Sequence, residues 1–552
     1  MERQSLIQFG WPRSLFFINS KYAAKIFIWI AALSIGALDI YVKRNKIGTD
    51  GVSYVEIAKA YADGRWSDAI NALWSPLYCW VLAIVFWAAQ PALDSEIPWV
   101  QFVNYLCYLF QLICFSLFVS TLLRGISDTA LDAWIWILTG CLFVWSNTVM
   151  YPIHRVGPDS LATSLIFIAF TLILHIRNGK DDWSRFLSLG VVLGFCYYAK
   201  SPMFPLGFLY ITCAGIIAPT KEGRLKKIIG SFAVFLLVSS PFIVALSLQQ
   251  GHITFSEAGR LNYLWRVNQI SDSHFQGDAI HGQPVHPTRK IHDSPPVYEF
   301  GTPIDGTYPV WYDPAYWYKG VRPSFDLNQQ INAIQRNLLV LVQVFNGVPG
   351  LIAFLLFLAF KFGRHPNAAS SLKHNLPLII LSVLSISAFL VVHLEPRYIN
   401  PFLLAIFVVL ISSLNIERKK VMALLVIAMT FAVISSIGIR QIRNYREVAY
   451  DRVFAADSES LQLLAGEKIG TLFSASSNGV WAHTAGVQIV AEVDSSDSEL
   501  FWNSPDDLRD RVFAAFATAG VDVVVSEQRP KTGSEGWQPL AKTSYYAVRL
   551  NR

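Results

Sequence analysis

Apolar runs close to the ~20 residues that a helix needs to cross a bilayer recur through most of the chain, separated by short polar loops. The pattern predicts spans near 23–42, 99–123, 131–150, 160–177, 186–199, 202–218, 228–248, 337–360, 376–393, 398–414 and 421–439, about eleven in all. One further stretch, "PLYCWVLAIVFWAAQP" at 76–91, lies between prolines and is short for a crossing, which suits a re-entrant or surface-lying helix. If it does not cross, most loop cations fall on one side. These are Arg124, then Arg177, Lys180 and Arg185, then Lys221, Arg224, Lys226 and Lys227, then Lys361, Arg364 and Lys373, and finally Arg418, Lys419 and Lys420. Cytoplasmic loops collect Lys and Arg in this way. Lys43, Arg44 and Lys46, just after the first span, are the exception. The regions 43–98, 151–159 and 249–336, the turn 394–397 and the tail from about 440 are then extracytoplasmic.

Beyond 440 the period changes. "EKIGTLF", "GVQIVAEV", "VDVVVSE" and "SYYAVRL" read as strands, and "SPDDLRDRVFAAFATAG" as a helix with Ser504 and Asp507 in a capping pattern and Gly520 as its stop. The expected architecture is an α-helical polytopic membrane protein with a transmembrane domain over 1–440. Within it lie a first outer loop with juxtamembrane helices at 43–98 and a long extracytoplasmic loop at 249–336. A small extracytoplasmic α/β domain follows over 441–552. That domain has no glycine-rich phosphate loop, so no nucleotide site is assigned to it.

Composition supports the membrane assignment: 53% of the 552 residues are hydrophobic and only 15% charged, with a mean hydropathy of +0.39. The formal charge of +6 has no basic stripe interleaved with aromatics in a polar segment, so nucleic acid is not an expected partner. The six cysteines all lie in apolar stretches without metal spacing and imply no disulfide framework. Arg3, Arg13, Lys21 and Lys25 precede the first apolar run, which lacks a small-residue cleavage site and contains Asp39. The first helix is therefore expected to be retained.

Ionisable residues cluster where the outward ends of spans are expected. Asp50 follows the first span in "IGTDGVSYVEIAKAYADGRW". "YPIHRVGPDSL" carries His154, Arg155 and Asp159, "YAKSPMFP" carries Lys200, and "HLEPRYINP" carries His393, Glu395, Arg397 and Tyr398. Charges at this depth are unfavourable unless paired or facing a wet cavity, which makes them functional candidates. Plainer roles suit each one: Asp159 as a helix cap after Pro158, Lys200 reaching for the headgroups, Glu395 and Arg397 as a structural pair, Asp50 as the start of a helix over 52–62.

The order of these features resembles the GT-C class of integral-membrane glycosyltransferases, in the branch of protein O-mannosyltransferases and lipid A aminoarabinose transferases. It consists of an Asp just past the first span, an "SY..IA.A...G" helix, a "W.SPLY" segment, a second Asp after the third span and an "E.RY..P" turn late in the bundle. The resemblance covers roughly 20–440, loosely after 220. It implies that Asp50 is the catalytic base, that Asp159 shapes the acceptor or metal site, and that Arg397 lies near a lipid phosphate. Several members have an acidic pair in the first loop, whereas Gly51 follows Asp50 here. A second carboxylate would have to come from Asp159 or Glu56, and metal dependence stays open.

On this reading the donor is a polyprenyl-phosphate-linked sugar, and the acceptor is an extracytoplasmic lipid, polysaccharide or protein. A carboxylate takes the acceptor's proton, and Arg397, Lys200, Arg155 and His393 neutralise the departing phosphate. Glu395 and Tyr398, with Glu257, Arg260, Tyr263, Trp265, Trp311 and Trp317 of the long loop, are candidates for acceptor or sugar binding, since flat aromatics pack on sugar faces. The same aromatics would equally serve as a loop core or interfacial belt. His274, His281, His286 and His292 are irregularly spaced for zinc. The expected site is the outer face of a bacterial-type inner membrane. The alternatives are a transporter or lipid-carrier flippase, or a non-catalytic envelope assembly protein. Half-to-half repeats, the mark of many transporters, are not evident.

Overall fold

A computed structural model describes residues 20–124, 129–301, 303–362, 368–413, 419–456, 465–528, 530, 536–540 and 544–550; Arg3, Arg13, Arg364 and Arg418 lie outside them. Among the described residues seven helices are long and apolar enough to cross a membrane: Tyr22–Val42, Leu93–Leu122, Asp132–Met150, Asp159–Arg177, Arg224–Gln250, Ala369–Leu390 and Leu424–Ile442. The shorter helices Trp183–Ala199, Met203–Ile217 and Pro396–Ser412 pack among them. Close approach of Trp183–Ala199 to the helix Arg224–Gln250 depends on Gly190, where a Cβ would stand 2.5 Å from the Ser231 carbonyl oxygen.

The span expected at 337–360 is instead two helices, Leu327–Phe345 and Val348–Phe362. The first begins inside the region expected as loop, because its polar face has partners. Gln330 donates to the Val391 carbonyl at 2.7 Å and Asn337 to that of Leu390 at 2.8 Å, satisfying the end of the neighbouring helix Ala368–Leu390. Its opposite side leaves Leu338, Leu339 and Val342 exposed.

The apolar stretch after Ser75 is a 14-residue helix, Pro76–Ala89, so at 1.5 Å per residue it reaches about 21 Å, less than the ~30 Å hydrocarbon layer. It packs against the helix Thr49–Ala62 and exposes Ile84 and Trp87. Among the described residues between Asp50 and Asp159, Leu93–Leu122 and Asp132–Met150 are the helices long and apolar enough to cross. Two crossings would return the chain to its starting side, and both acids line one cavity. At the other end of the bundle the basic loops meet. Arg124 contacts His175 at 3.1 Å, Arg177 donates to Asn375 at 2.6 Å, and Lys227 donates to the Asp181 carbonyl at 2.7 Å. Of the exceptional cations after the first span, Lys43 is buried, whereas Arg44 stays exposed and folds over the Tyr41 ring.

The tail strands form where alternation placed them. β1 (Arg289–Asp293) and β2 (Pro296–Glu299) come from the long loop, followed by β3 (Lys468–Thr471), β4 (Gln488–Glu492), β5 (Val523–Ser526), β6 (Gln538–Pro539) and β7 (Tyr546–Arg549). They make one sheet in the order β1-β2-β4-β3-β5-β7-β6, parallel at β4-β3-β5 and antiparallel elsewhere. Val512 and Phe516 of the helix Asp506–Thr518 cover it beside Val490 and Val524. The preceding helix runs from Lys419 to Ala456, past the composition change at 440. Loop and tail thus share a layer through the Tyr298–Glu492 register.

Candidate active site

Asp50 lies in the first turn of the helix Thr49–Ala62, where a carboxylate meets the positive end of the helix dipole. Gly51 behind it has no room for a side chain: a Cβ would stand 2.8 Å from Ile47 Cγ1 and 2.9 Å from Val156 Cβ. A second acid beside Asp50 would crowd both Ile47 and the 151–158 loop. That loop is fixed from below, since His154 Nδ1 is 2.8 Å from Asp39 Oδ2 and Gln101 donates to the His154 carbonyl at 2.8 Å.

Asp159 opens the helix Asp159–Arg177 without capping it through its side chain. Its buried carboxylate pairs instead with Lys200, whose Nζ also lies 4.0 Å from the centre of the Tyr398 ring. Both Nη atoms of Arg397 donate to Asp50 Oδ2 at 3.3 Å. Arg397 Nε lies 2.7 Å from Glu395 Oε2, Arg155 Nη2 lies 3.8 Å from the same oxygen, and His393 Nε2 is 3.2 Å from Glu395 Oε1. Burial works against charge on Glu395, but the His393 hydrogen bond and the Arg397 guanidinium hold its carboxyl below the usual range.

These groups surround a cavity of about 460 Å³ whose lining includes Asp50, Asp159, Lys200, His393, Arg397 and Tyr398. Its apolar wall is Leu206, Leu209, Ala388, Phe389 and Val392. Three acids (Asp50, Asp159, Glu395) face three cations (Arg155, Lys200, Arg397), so the cluster is balanced before any ligand enters. An anion reaching Arg397 or Lys200 competes with a carboxylate already paired there. Tyr54, Trp74, Ser75, Ser201 and Asn262 also line the cavity and were not singled out as site residues. Tyr54 had a readable signal, since it lies one helical turn after Asp50.

The long-loop candidates sit elsewhere. Trp265 is buried, stacked on Trp311 at 5.7 Å and edge-on to Tyr318, and the buried Trp317 donates to the Pro309 carbonyl at 3.0 Å. Arg260 pairs with Glu257 and donates to the carbonyls of Tyr318 and Val321, while Tyr263 donates to Gln330 at 3.0 Å. None of these six side chains is in the cavity lining. They pack the loop core that closes over the site, with Ser53 and Trp74 donating to the Trp311 carbonyl at 3.2 and 3.1 Å. Glu56 also faces away, bound to Thr307 and His483. Among the described residues no three His, Cys, Asp or Glu side chains converge as a metal group. The loop histidines are spread apart: His274 pairs with Glu492, His281 with Asp278, His286 stacks on Tyr316, and His292 contacts the Pro295 carbonyl.

Neither a family model nor a curated protein matches the chain. Among solved structures it is similar to ArnT from Cupriavidus metallidurans bound to undecaprenyl phosphate, at 10% identity and a TM-score of 0.54 over 95% of this chain and 97% of that one. The apo state of ArnT from the same organism aligns at 10% identity and a TM-score of 0.49, over 94% of this chain and 97% of that one. The first likeness shows the fold: the polytopic, GT-C-like architecture that the order of motifs implied, with the small C-terminal sheet domain expected from the strand pattern after 440.

Proposed function

We propose that this chain is an inner-membrane glycosyltransferase that moves a sugar from a polyprenyl-phosphate donor to an extracytoplasmic acceptor, with Asp50 as general base. One observation carries the reading: Asp50 and Arg397 touch in a cavity that Asp159 and Lys200 also enter, at the ends of helices rather than at the bundle's midplane. This location suits a reaction at the membrane face better than a translocation path. The basic loops gather at the opposite end, which supports an outward-facing cavity.

The donor phosphate binds Arg397, taking over hydrogen bonds now given to Asp50, and meets Lys200 through the N–H groups that Asp159 does not use. Freed from Arg397, Asp50 accepts the proton of the acceptor hydroxyl as its oxygen attacks the anomeric carbon. The carbon–oxygen bond to phosphate breaks, its electron pair leaves with the polyprenyl phosphate, and the cations neutralise the charge that develops. A single displacement inverts the anomeric centre. Asp159 holds Lys200 in place, and Tyr398 backs the ammonium with its ring face. The apolar wall at Leu206, Leu209 and Phe389 suits a lipid carrier.

Mass analysis of surface glycans tests the reading in a strain lacking the gene, complemented with wild type or Asp50→Asn. A sugar missing in the deletion should return with wild type alone. Full restoration by Asp50→Asn would remove Asp50 from the chemistry, and an unchanged glycan profile on deletion would remove the transferase reading.

A further inference from the structure

The helix that carries Asp50 is gripped on its far side by the C-terminal domain. Asp50 and Tyr54, four residues apart, face the cavity. At 3.6 residues per turn Lys59 is about 180° round the helix from Asp50, and Glu56 about 240°. Glu56 meets His483, on the helix Val480–Ala485 of the C-terminal domain, with Nδ1 3.1 Å from Glu56 Oε1. The other ring nitrogen, Nε2, is 2.7 Å from Oε1 of Glu96, which opens the span Leu93–Leu122. Glu96 Oε2 in turn pairs with Lys59. Thr307 of the long loop completes the group, its amide donating to Glu56 Oε1 at 3.0 Å while its carbonyl accepts from the Ile489 amide of β4 at 2.8 Å.

An imidazole with a carboxylate at each nitrogen donates from both, which is the protonated form. Two acids, Glu56 and Glu96, then balance two cations, Lys59 and His483; Thr307, contributed by the loop, does not titrate. Burial opposes the charge on His483, yet the hydrogen bonds and charges of Glu56 and Glu96 raise it from the ordinary 6.5 to about 9. The folded value lies above the unfolded one, so the stabilisation is complete below about 6.5 and is lost as pH rises through about 9.

We infer that His483 is a positioning residue: through Glu56 and Glu96 the C-terminal domain clamps the helix Thr49–Ala62 against the membrane bundle and so sets where Asp50 stands in the cavity. This rests on the transferase reading for its purpose but not for its test. The domain's role on this view is to hold the base in register. Neutral His483 has a single donor and can serve only one carboxylate, so the clamp is weakened at high pH.

Amide hydrogen exchange of residues 49–62 in the full-length protein in detergent, corrected for the intrinsic rate at each pH, reads the clamp directly. Wild type should lose protection in this helix on passing pH 9, while β4 and β5 stay protected. His483→Gln should exchange there roughly tenfold or more faster at neutral pH and show no such step. Glu96→Gln keeps an acceptor for Nε2 but removes a charge, so its step should move to lower pH. Equal exchange of 49–62 in wild type and His483→Gln overturns the proposal, as does a step that Glu96→Gln leaves in place. Loss of protection in β4 along with the helix also overturns it, by assigning His483 to the domain's own stability. Undecaprenyl phosphate titrated into the same wild-type sample addresses the transferase reading separately: no binding would count against that reading and leave the exchange result standing.

Discussion

Asp50 and Arg397 are 347 positions apart and share a carboxylate–guanidinium contact, and the roles proposed for them predict separable defects. Asp50→Asn keeps the shape of the group and removes its basicity, so turnover should fall by about 10²–10⁴ while undecaprenyl phosphate still binds. Parallel measurements of turnover and lipid binding check this. Gly51→Asp would supply the acidic pair seen in the resembled family, but its Cβ enters the space of Ile47 and Val156. Such overpacking costs about 1–3 kcal/mol, so the variant should melt earlier and lose activity, as thermal unfolding and turnover would record. Single charged residues at span ends were readable from sequence because an unpaired charge there is unfavourable. Their partners were not: nothing local links Asp159 to Lys200 or Asp50 to Arg397. The tryptophans mislead for the opposite reason. Trp265, Trp311 and Trp317 have the composition of a sugar platform, and only packing shows that they fill the loop core.

Among the elements, the Pro76–Ala89 helix decides the orientation of everything after it. If it lies along the surface, Asp63→Cys before it and Asp94→Cys after it should both react with a membrane-impermeant maleimide from the same side of sealed vesicles. Labelling from opposite sides would mean that it crosses, and Asp50 and Asp159 would then lie on different faces. Its length and bounding prolines are what suggest a non-crossing helix in the sequence, and the structure bears out its shortness. The break at 346–347 had a local signal that the expected span overlooked, since Asn346-Gly347 and Pro349-Gly350 are turn formers inside an otherwise largely apolar run. The helix Leu327–Phe345 starts early because Gln330 and Asn337 find carbonyl partners on a neighbouring helix.

For the molecule as a whole, a ligand that binds the folded state alone stabilises it by mass action, by about 2.7 kcal/mol at a hundredfold excess over Kd. Undecaprenyl phosphate should therefore raise the unfolding midpoint of the purified wild-type protein, and most of the rise should vanish in Arg397→Gln. An equal rise in both would place the lipid phosphate away from this guanidinium. The parts that meet over the site come from every region of the chain. The long loop lends β1 and β2 to the tail's sheet, and the tail reaches Glu56 and Glu96 through His483.

Hydropathy, loop charge and alternation were sufficient for the membrane class, most span positions, the short helix at 76–89 and the tail's strands, because each follows from interactions within a few residues or with the solvent on either side. Which acid meets which cation, which aromatics fill a core and how the tail grips the first outer helix were settled only by tertiary structure. Those contacts join residues hundreds of positions apart, and their energy depends on burial and geometry that exist only once the bundle, loop and sheet have closed together.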